Sequence, residues 1–224
     1  ARLKDGRIGR FGWKASIASL GEFTLQACSS ELGLEVPGFA RAAPPWKSDY
    51  KAPGIDLTGE QCEMLTRFVA SLPRPVERPA GAPQQAAAIE RGRQLFASVG
   101  CAACHRPKLG DVDGVYSDLL LHNMGHQLSD SGSYTVLEPE IASKDKPKQP
   151  RAANELEWRT PPLWGLHDSA PYLHDGRAET VAEAVALHGG EGLAAAQAYK
   201  RLSEKEREQV ELFLQTPIAP LKAM

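Results

Sequence analysis

Cys101-Ala102-Ala103-Cys104-His105 sets two thiols three positions apart and puts an imidazole directly after the second. That spacing suits one particular chemistry. The two thiols can add to the two vinyl groups of one porphyrin as thioethers. The next residue then lies beneath the iron, where its imidazole serves as proximal axial ligand. Two other chemistries use paired cysteines. A redox-active pair normally opens a helix after a strand in a βαβ setting, and no such alternation surrounds Cys101. A structural zinc site takes four ligands, and no second Cys or His pair stands at zinc-finger spacing. The motif reads as the attachment site of one c-type haem.

An iron that passes electrons takes a sixth ligand, usually His or Met. The available side chains are His122, Met124, His126, His167, His174 and His188. His188 shares a helical face with Val181, Ala184 and Val185, and the adjacent Gly189-Gly190 would let a porphyrin approach the backbone. A core histidine bonded to a carbonyl would show the same pattern. His122 lies between Leu119-Leu120-Leu121 and Asn123-Met124-Gly125, a plausible pocket wall. His174 sits in a turn-rich segment where Asp175 could orient it. Arg159 and Arg177 read either as partners of haem propionates or as ordinary surface arginines.

Several elements must position these groups. The 84–99 segment carries Ile89, Gly92, Leu95, Phe96 and Val99 along one side and reads as a helix that Gly100 ends. Capping boxes at Thr58-x-x-Gln61, Thr180-x-x-Glu183 and Ser203-x-x-Glu206 start three more. The last carries Val210, Phe213 and Leu214 as its buried stripe. A contact between Gly92 and Phe213 is expected where this helix crosses 84–99, as in cytochrome c folds, because a glycine lets the helices approach closely. A further helix is expected near Ala15–Leu32. Residues 37–53 read as irregular, and 106–162 lack sustained helical periodicity. The Lys144, Lys146 and Lys148 cluster reads as a solvated loop or as a docking patch for an acidic partner.

The fold class is mainly α. Four prolines between Pro73 and Pro83 exclude a helix or an inner strand there. Residues 74–83 therefore read as a linker between a front part, 1–73, and a cytochrome c domain, 84–224. Cys28 and Cys62 remain after haem attachment. They either pair across a 35-residue loop, worth roughly 3–4 kcal/mol, or stay as two buried thiols. A formal charge of −2 gives no electrostatic case for nucleic acid or an anionic membrane. No apolar run reaches the ~20 residues of a membrane span. Ala1 to Gly6 is not a signal peptide. Covalent haem nevertheless implies assembly outside the cytoplasm, in the periplasm or its equivalent, so an export leader is expected to have been removed or to lie upstream.

Arg159-Thr160-Pro161-Pro162-Leu163-Trp164-Gly165-Leu166, then Pro171-Tyr172-Leu173-His174-Asp175-Gly176-Arg177, then Thr180 to Gly190, resemble the C-terminal half of bacterial di-haem cytochrome c peroxidases. The nearest likeness is to their di-haem oxidoreductase branch, often labelled thiol oxidoreductases. Tyr116 to Gly125 and Arg10-Phe11-Gly12-Trp13-Lys14-Ala15 resemble that branch too, so the likeness covers nearly the whole chain. The resemblance implies two cytochrome-like domains: an N-terminal haem that reacts with peroxide, and a C-terminal haem that relays electrons to it. It places the sixth ligand of the relay haem fourteen residues after His174, at His188. It also implies calcium held partly by backbone carbonyls at positions matching Ser169 and Pro171. His/His ligation in place of His/Met should lower the haem potential.

Two departures stand out. The chain has a single Cys-x-x-Cys-His, whereas the family's first motif should lie upstream of Arg10. The resemblance thus implies a fragment, a processed piece or a subunit without the peroxidatic haem, with 1–73 the remainder of an N-terminal cytochrome-like domain. Asn123 stands where the branch commonly has Asp, so an amide takes the place of an acid there. Trp13 is expected either to bridge two haems or to pack. The expected function is electron relay within a peroxidase-like di-haem oxidoreductase, fed by a donor protein or small reductant and serving an upstream haem domain. The alternatives are a mono-haem electron carrier without catalysis and a haem sensor with an open sixth site.

Overall fold

The computed structural model describes residues 1–41, 43–44, 46–47, 49–130 and 153–218. They fall into two units, with the division at Leu72–Pro73. The lysine cluster at 144–148 lies outside the described residues.

In the first unit, α1 spans Leu20–Ser30 and α2 spans Gly59–Ser71. Both start from capping boxes, Ser19 with Glu22 and Thr58 with Gln61, so in each the N-cap and N3 N–H groups are met by side chains. Helix α1 begins later than Ala15. Phe11 pairs with Ile17, and Ala15 takes a left-handed φ of +50°, which keeps 11–17 out of the helix although its apolar spacing would allow one. Cys28, Val36 and Cys62 form the buried centre of this unit, with Leu25, Phe39 and Leu65 packed on it. Cys28 and Cys62 are free thiols here, not a disulfide. Burial, and then the neighbouring Cys62, push the Cys28 thiol up.

The second unit is built on α3 (Pro83–Ser98) and α6 (Glu204–Leu214). Pro83 opens α3, at a position where a missing N–H costs nothing. A Cβ on Gly92 would collide with the Gln209 carbonyl and lie 3.1 Å from the Phe213 Cβ. The crossing expected from sequence is therefore present, and the backbones approach so closely that only glycine fits. Phe213, fully buried, stacks edge-on against Phe96 and Tyr116 at 5.4 Å each. Leu95, Val181, Tyr199, Val210 and Leu214 complete the core.

Among the described residues, three short antiparallel ladders tie down the rest. β1 (Val76–Glu77) pairs with β6 (Pro217–Ile218). The segment read as a linker is thus stitched to the end of the second unit, as a two-residue edge that prolines tolerate. β2 (Lys108–Leu109) pairs with β3 (Val112–Asp113), and β4 (Leu121–Asn123) with β5 (Glu157–Arg159). These ladders lie inside the stretch without helical periodicity. Helix α4 runs only from Val181 to Ala186 and α5 from Leu193 to Lys200. Sequence reading missed α5, whose Ala-rich run has no distinct apolar stripe.

Candidate haem site

Gly100, at φ +100°, ends the α3 segment and turns the chain into a one-turn 3-10 helix, Cys101–Ala103. The His105 N–H closes the turn onto the Cys101 carbonyl at 3.0 Å. Both thiols and the following imidazole are thereby carried on one tight, rigid corner. The Phe96 ring lies 6.3 Å from the His105 ring.

The partners of His105 fix its tautomer. Its Nδ1 lies 3.0 Å from the Tyr116 carbonyl oxygen. A carbonyl can only accept, so Nδ1 carries the proton and Nε2 keeps a bare lone pair. Burial holds the ring's pKa down to about 4. The Tyr116 carbonyl and Asp118 act in the opposite direction, while the nearby His188 and His122 disfavour its protonation further. The imidazole is neutral at pH 7, the form a metal needs.

His188 repeats the arrangement. Its Nδ1 lies 2.7 Å from the Ala184 carbonyl, and burial lowers its pKa. The helical-face argument holds only in part, since α4 stops at Ala186. A last turn, with the His188 N–H on the Val185 carbonyl at 3.1 Å, brings the ring back over α4. Beside it, the backbone of 123–125 packs against 189–190 so tightly that a Cβ on Gly190 would collide with the Asn123 carbonyl. An open cavity of about 550 Å³ is lined by Asn123, Gly125, His126, Leu156, His188 and Leu193. Two thiols on one turn and two neutral imidazoles with free Nε2 atoms form a donor set that fits a covalently attached haem; of these groups, His188 lines the glycine-floored cavity, and Cys101, Cys104 and His105 do not.

The remaining histidines are committed elsewhere or exposed. His122 is spent on both nitrogens, with Nε2 on Asp118 at 2.9 Å and Nδ1 on Glu191 at 2.8 Å. Burial works against its charge, yet the bonds to Glu191 and Asp118 raise its pKa overall. Glu191 also accepts the Asn123 N–H at 2.8 Å, and its own pKa is lowered, first by His122. Burial would raise Asp118, but the Leu120 N–H and His122 prevail and lower it. Cys104, Asp118 and His122 bring one donor atom each within 4.8 Å of one another, so the Asp118–His122 pair borders the second thioether position, Cys104. His174 stacks on Trp158 at 3.8 Å and bonds Asp130 at 3.2 Å, while Asp175, its expected partner, stands at 3.8 Å. His126 is exposed, and His167 lies 3.8 Å from Asp168. The Met124 methyl and the His188 ring both lie against Gly192, so Met124 neighbours the ligand position.

Burial pushes the Arg159 guanidinium pKa down. Arg177 is exposed, paired with Asp175, and donates to the Gln127 carbonyl at 2.6 Å. Asn123 accepts the Gly125 N–H on its side-chain oxygen at 2.9 Å, a turn that an amide makes as well as the family's carboxylate. The Ser169 hydroxyl donates to the Gly165 carbonyl at 2.6 Å, and Ser169 and Pro171 are both exposed. Trp13 is half-buried in the first unit. The roles of the Tyr116 carbonyl, Asp118 and Glu191 were not read from sequence. The only local trace was the four-residue spacing of Asp118 and His122.

The fold is similar to that of a MauG-like protein associated with microbial copper homeostasis, with 17% identity, 98% of this chain and 72% of that chain covered, and a TM-score of 0.54. A second similarity is to hydrazine synthase of Kuenenia stuttgartiensis, with 20% identity, a TM-score of 0.46 and 73% of this chain covered, spanning 57% of that protein's chain. No curated protein matches the sequence. Residues 4–216 match the family described as "Di-haem oxidoreductase, putative peroxidase", and the chain belongs to this di-haem oxidoreductase family.

Proposed function

We propose that this chain is the electron-relay portion of a peroxidase-like di-haem oxidoreductase, with one haem attached at Cys101 and Cys104 and its iron held by His105 and His188. The observation that carries this reading is the matched pair of imidazoles, each giving its Nδ1 proton to a main-chain carbonyl and keeping Nε2 free. When bound, the haem supplies one-electron storage and release. The chain's own residues do the rest. Cys101 and Cys104 hold the group in place; before attachment, burial pushes the Cys101 thiol up to about 11 and raises Cys104 as well. His105 and His188 stay neutral and oriented. Arg159 is assigned to a propionate, whereas Arg177 would have to release Asp175 to do the same.

An iron held by both His105 and His188 would have no coordination position left for hydrogen peroxide. Peroxide chemistry is therefore assigned to a second haem on an upstream domain, with Trp13 as the bridge toward it and a donor protein or small reductant as the electron source. Calcium at the backbone of Ser169 and Pro171 is part of the same proposal. So is export, because c-type attachment takes place outside the cytoplasm. Among the described residues, no helix is long and apolar enough to cross a membrane.

A mono-haem carrier without catalysis of its own is the second reading; these 224 residues carry one Cys-x-x-Cys-His. The two readings separate in assays of this chain beside a longer one carrying an upstream haem motif. The relay reading expects the 224-residue protein to be reducible by small donors and nearly inert toward peroxide, with turnover appearing in the longer protein. Full peroxidase turnover by the shorter chain alone would overturn it.

A further inference from the structure

We infer that Tyr116 is a positioning residue for the proximal haem ligand, held in place by an ion pair between Glu77 and Arg93. The inference rests on the assignment of His105 to the iron.

The Tyr116–Ser117 peptide is fixed on both faces. Its carbonyl accepts the His105 Nδ1–H at 3.0 Å, while its N–H donates to the Arg106 carbonyl at 2.9 Å. Tyr116 adopts φ +47°, a left-handed conformation that a bulky side chain takes only when its surroundings impose it. Those surroundings are visible. Arg93 donates to the phenol oxygen at 2.5 Å, and the phenol in turn donates to Glu77 at 3.2 Å. Arg93 and Glu77 form a two-pronged pair at 2.9 and 2.8 Å, the guanidinium lying 4.7 Å over the Phe213 ring. The Tyr116 ring is wedged edge-on between Phe96 and Phe213. Burial pushes the phenol pKa up to about 12, so it remains a hydrogen-bond donor to Glu77.

The consequence falls on the ligand. A short Nδ1–H···O=C bond makes the opposite nitrogen a stronger donor and favours the oxidised iron. Loosening the phenol releases the strained residue, tilts the carbonyl and weakens that bond. Glu77 lies in the segment that sequence reading took for a linker, so its pairing with Arg93 gives that segment a part in ligand geometry.

Redox titration of the haem-loaded protein tests this, with pyridine haemochrome spectra and intact mass confirming covalent haem in every variant. Tyr116→Phe keeps the ring and changes no charge; it should raise the midpoint potential. Arg93→Leu should raise it too. Loss of a nearby positive charge acting through the field alone would lower it, so the two explanations differ in sign. Arg93→Lys keeps the charge but not the fork and should follow Arg93→Leu. An unchanged potential in Tyr116→Phe, or a fall in Arg93→Leu, with haem attached and low-spin, overturns the positioning role while leaving the haem reading standing. Absence of covalent haem from the unaltered protein overturns both.

Discussion

His105 and His188, 83 positions apart in sequence, are oriented by one device. Each gives its Nδ1 proton to a main-chain carbonyl, Tyr116 at 3.0 Å and Ala184 at 2.7 Å, and His188 is close enough to His105 to disfavour its protonation. A histidine that merely satisfies itself in a core needs one such bond. Two neighbouring rings of the same tautomer, with a pair of thiols on one turn, support the c-type haem site proposed for this chain.

Covalent attachment has a direct chemical signature. After denaturation and extraction with acidified organic solvent, the polypeptide should retain the mass of one porphyrin. Replacing Cys101 and Cys104 together with Ala should release the haem into the solvent. Haem extracted from the unaltered chain would contradict thioether links at these residues.

The contact between α3 and α6 predicts a sharp stability loss. A Cβ at Gly92 meets the Gln209 carbonyl, which is backbone and cannot rotate away. Gly92→Ala or Gly92→Val should cost roughly 1–3 kcal/mol or more and lower the melting temperature by several degrees. An unmoved melting temperature would contradict the crossing.

The Asp118–His122–Glu191 cluster predicts a pH window. The folded pKa of His122 is raised above 6.5, so its contribution is complete below that value and is lost as pH rises through the folded pKa. Asp118 and Glu191 are lowered from 3.8 and 4.5. Their contribution is present above those values and disappears as pH falls through the folded ones. The difference in melting temperature between the unaltered protein and His122→Ala should peak between about pH 5 and 6.5 and shrink on both sides. A difference that is flat in pH would show that His122 acts by packing alone.

Local signals made much of this legible in the sequence. Cys101 to His105 marks the site, the capping boxes fix helix starts to the residue, and the contact of Gly92 with Phe213 is the crossing that the likeness to cytochrome c folds implies. The unread parts depend on distant partners. Glu191 reaches His122 across 69 positions and Glu77 reaches Tyr116 across 39, which no local pattern records. Apolar spacing from Ala15 predicts helix, but the pairing of Phe11 with Ile17 and the positive φ of Ala15 take that stretch away from it. His188 lies on its expected face through a final turn beyond the end of α4, so its placement depends on the packing of Gly190 against Asn123.

Optical and electron paramagnetic resonance spectra of His188→Ala, compared with the unaltered holo-protein, test the central claim most directly. The unaltered protein should be low-spin. With Nε2 of His188 gone, the iron should become high-spin or bind an added ligand such as imidazole, which restores the low-spin spectrum. A His188→Ala protein that stays low-spin without added ligand would show that another side chain, with the adjacent Met124 first to be examined, holds the sixth position, and would contradict the ligation proposed for this chain.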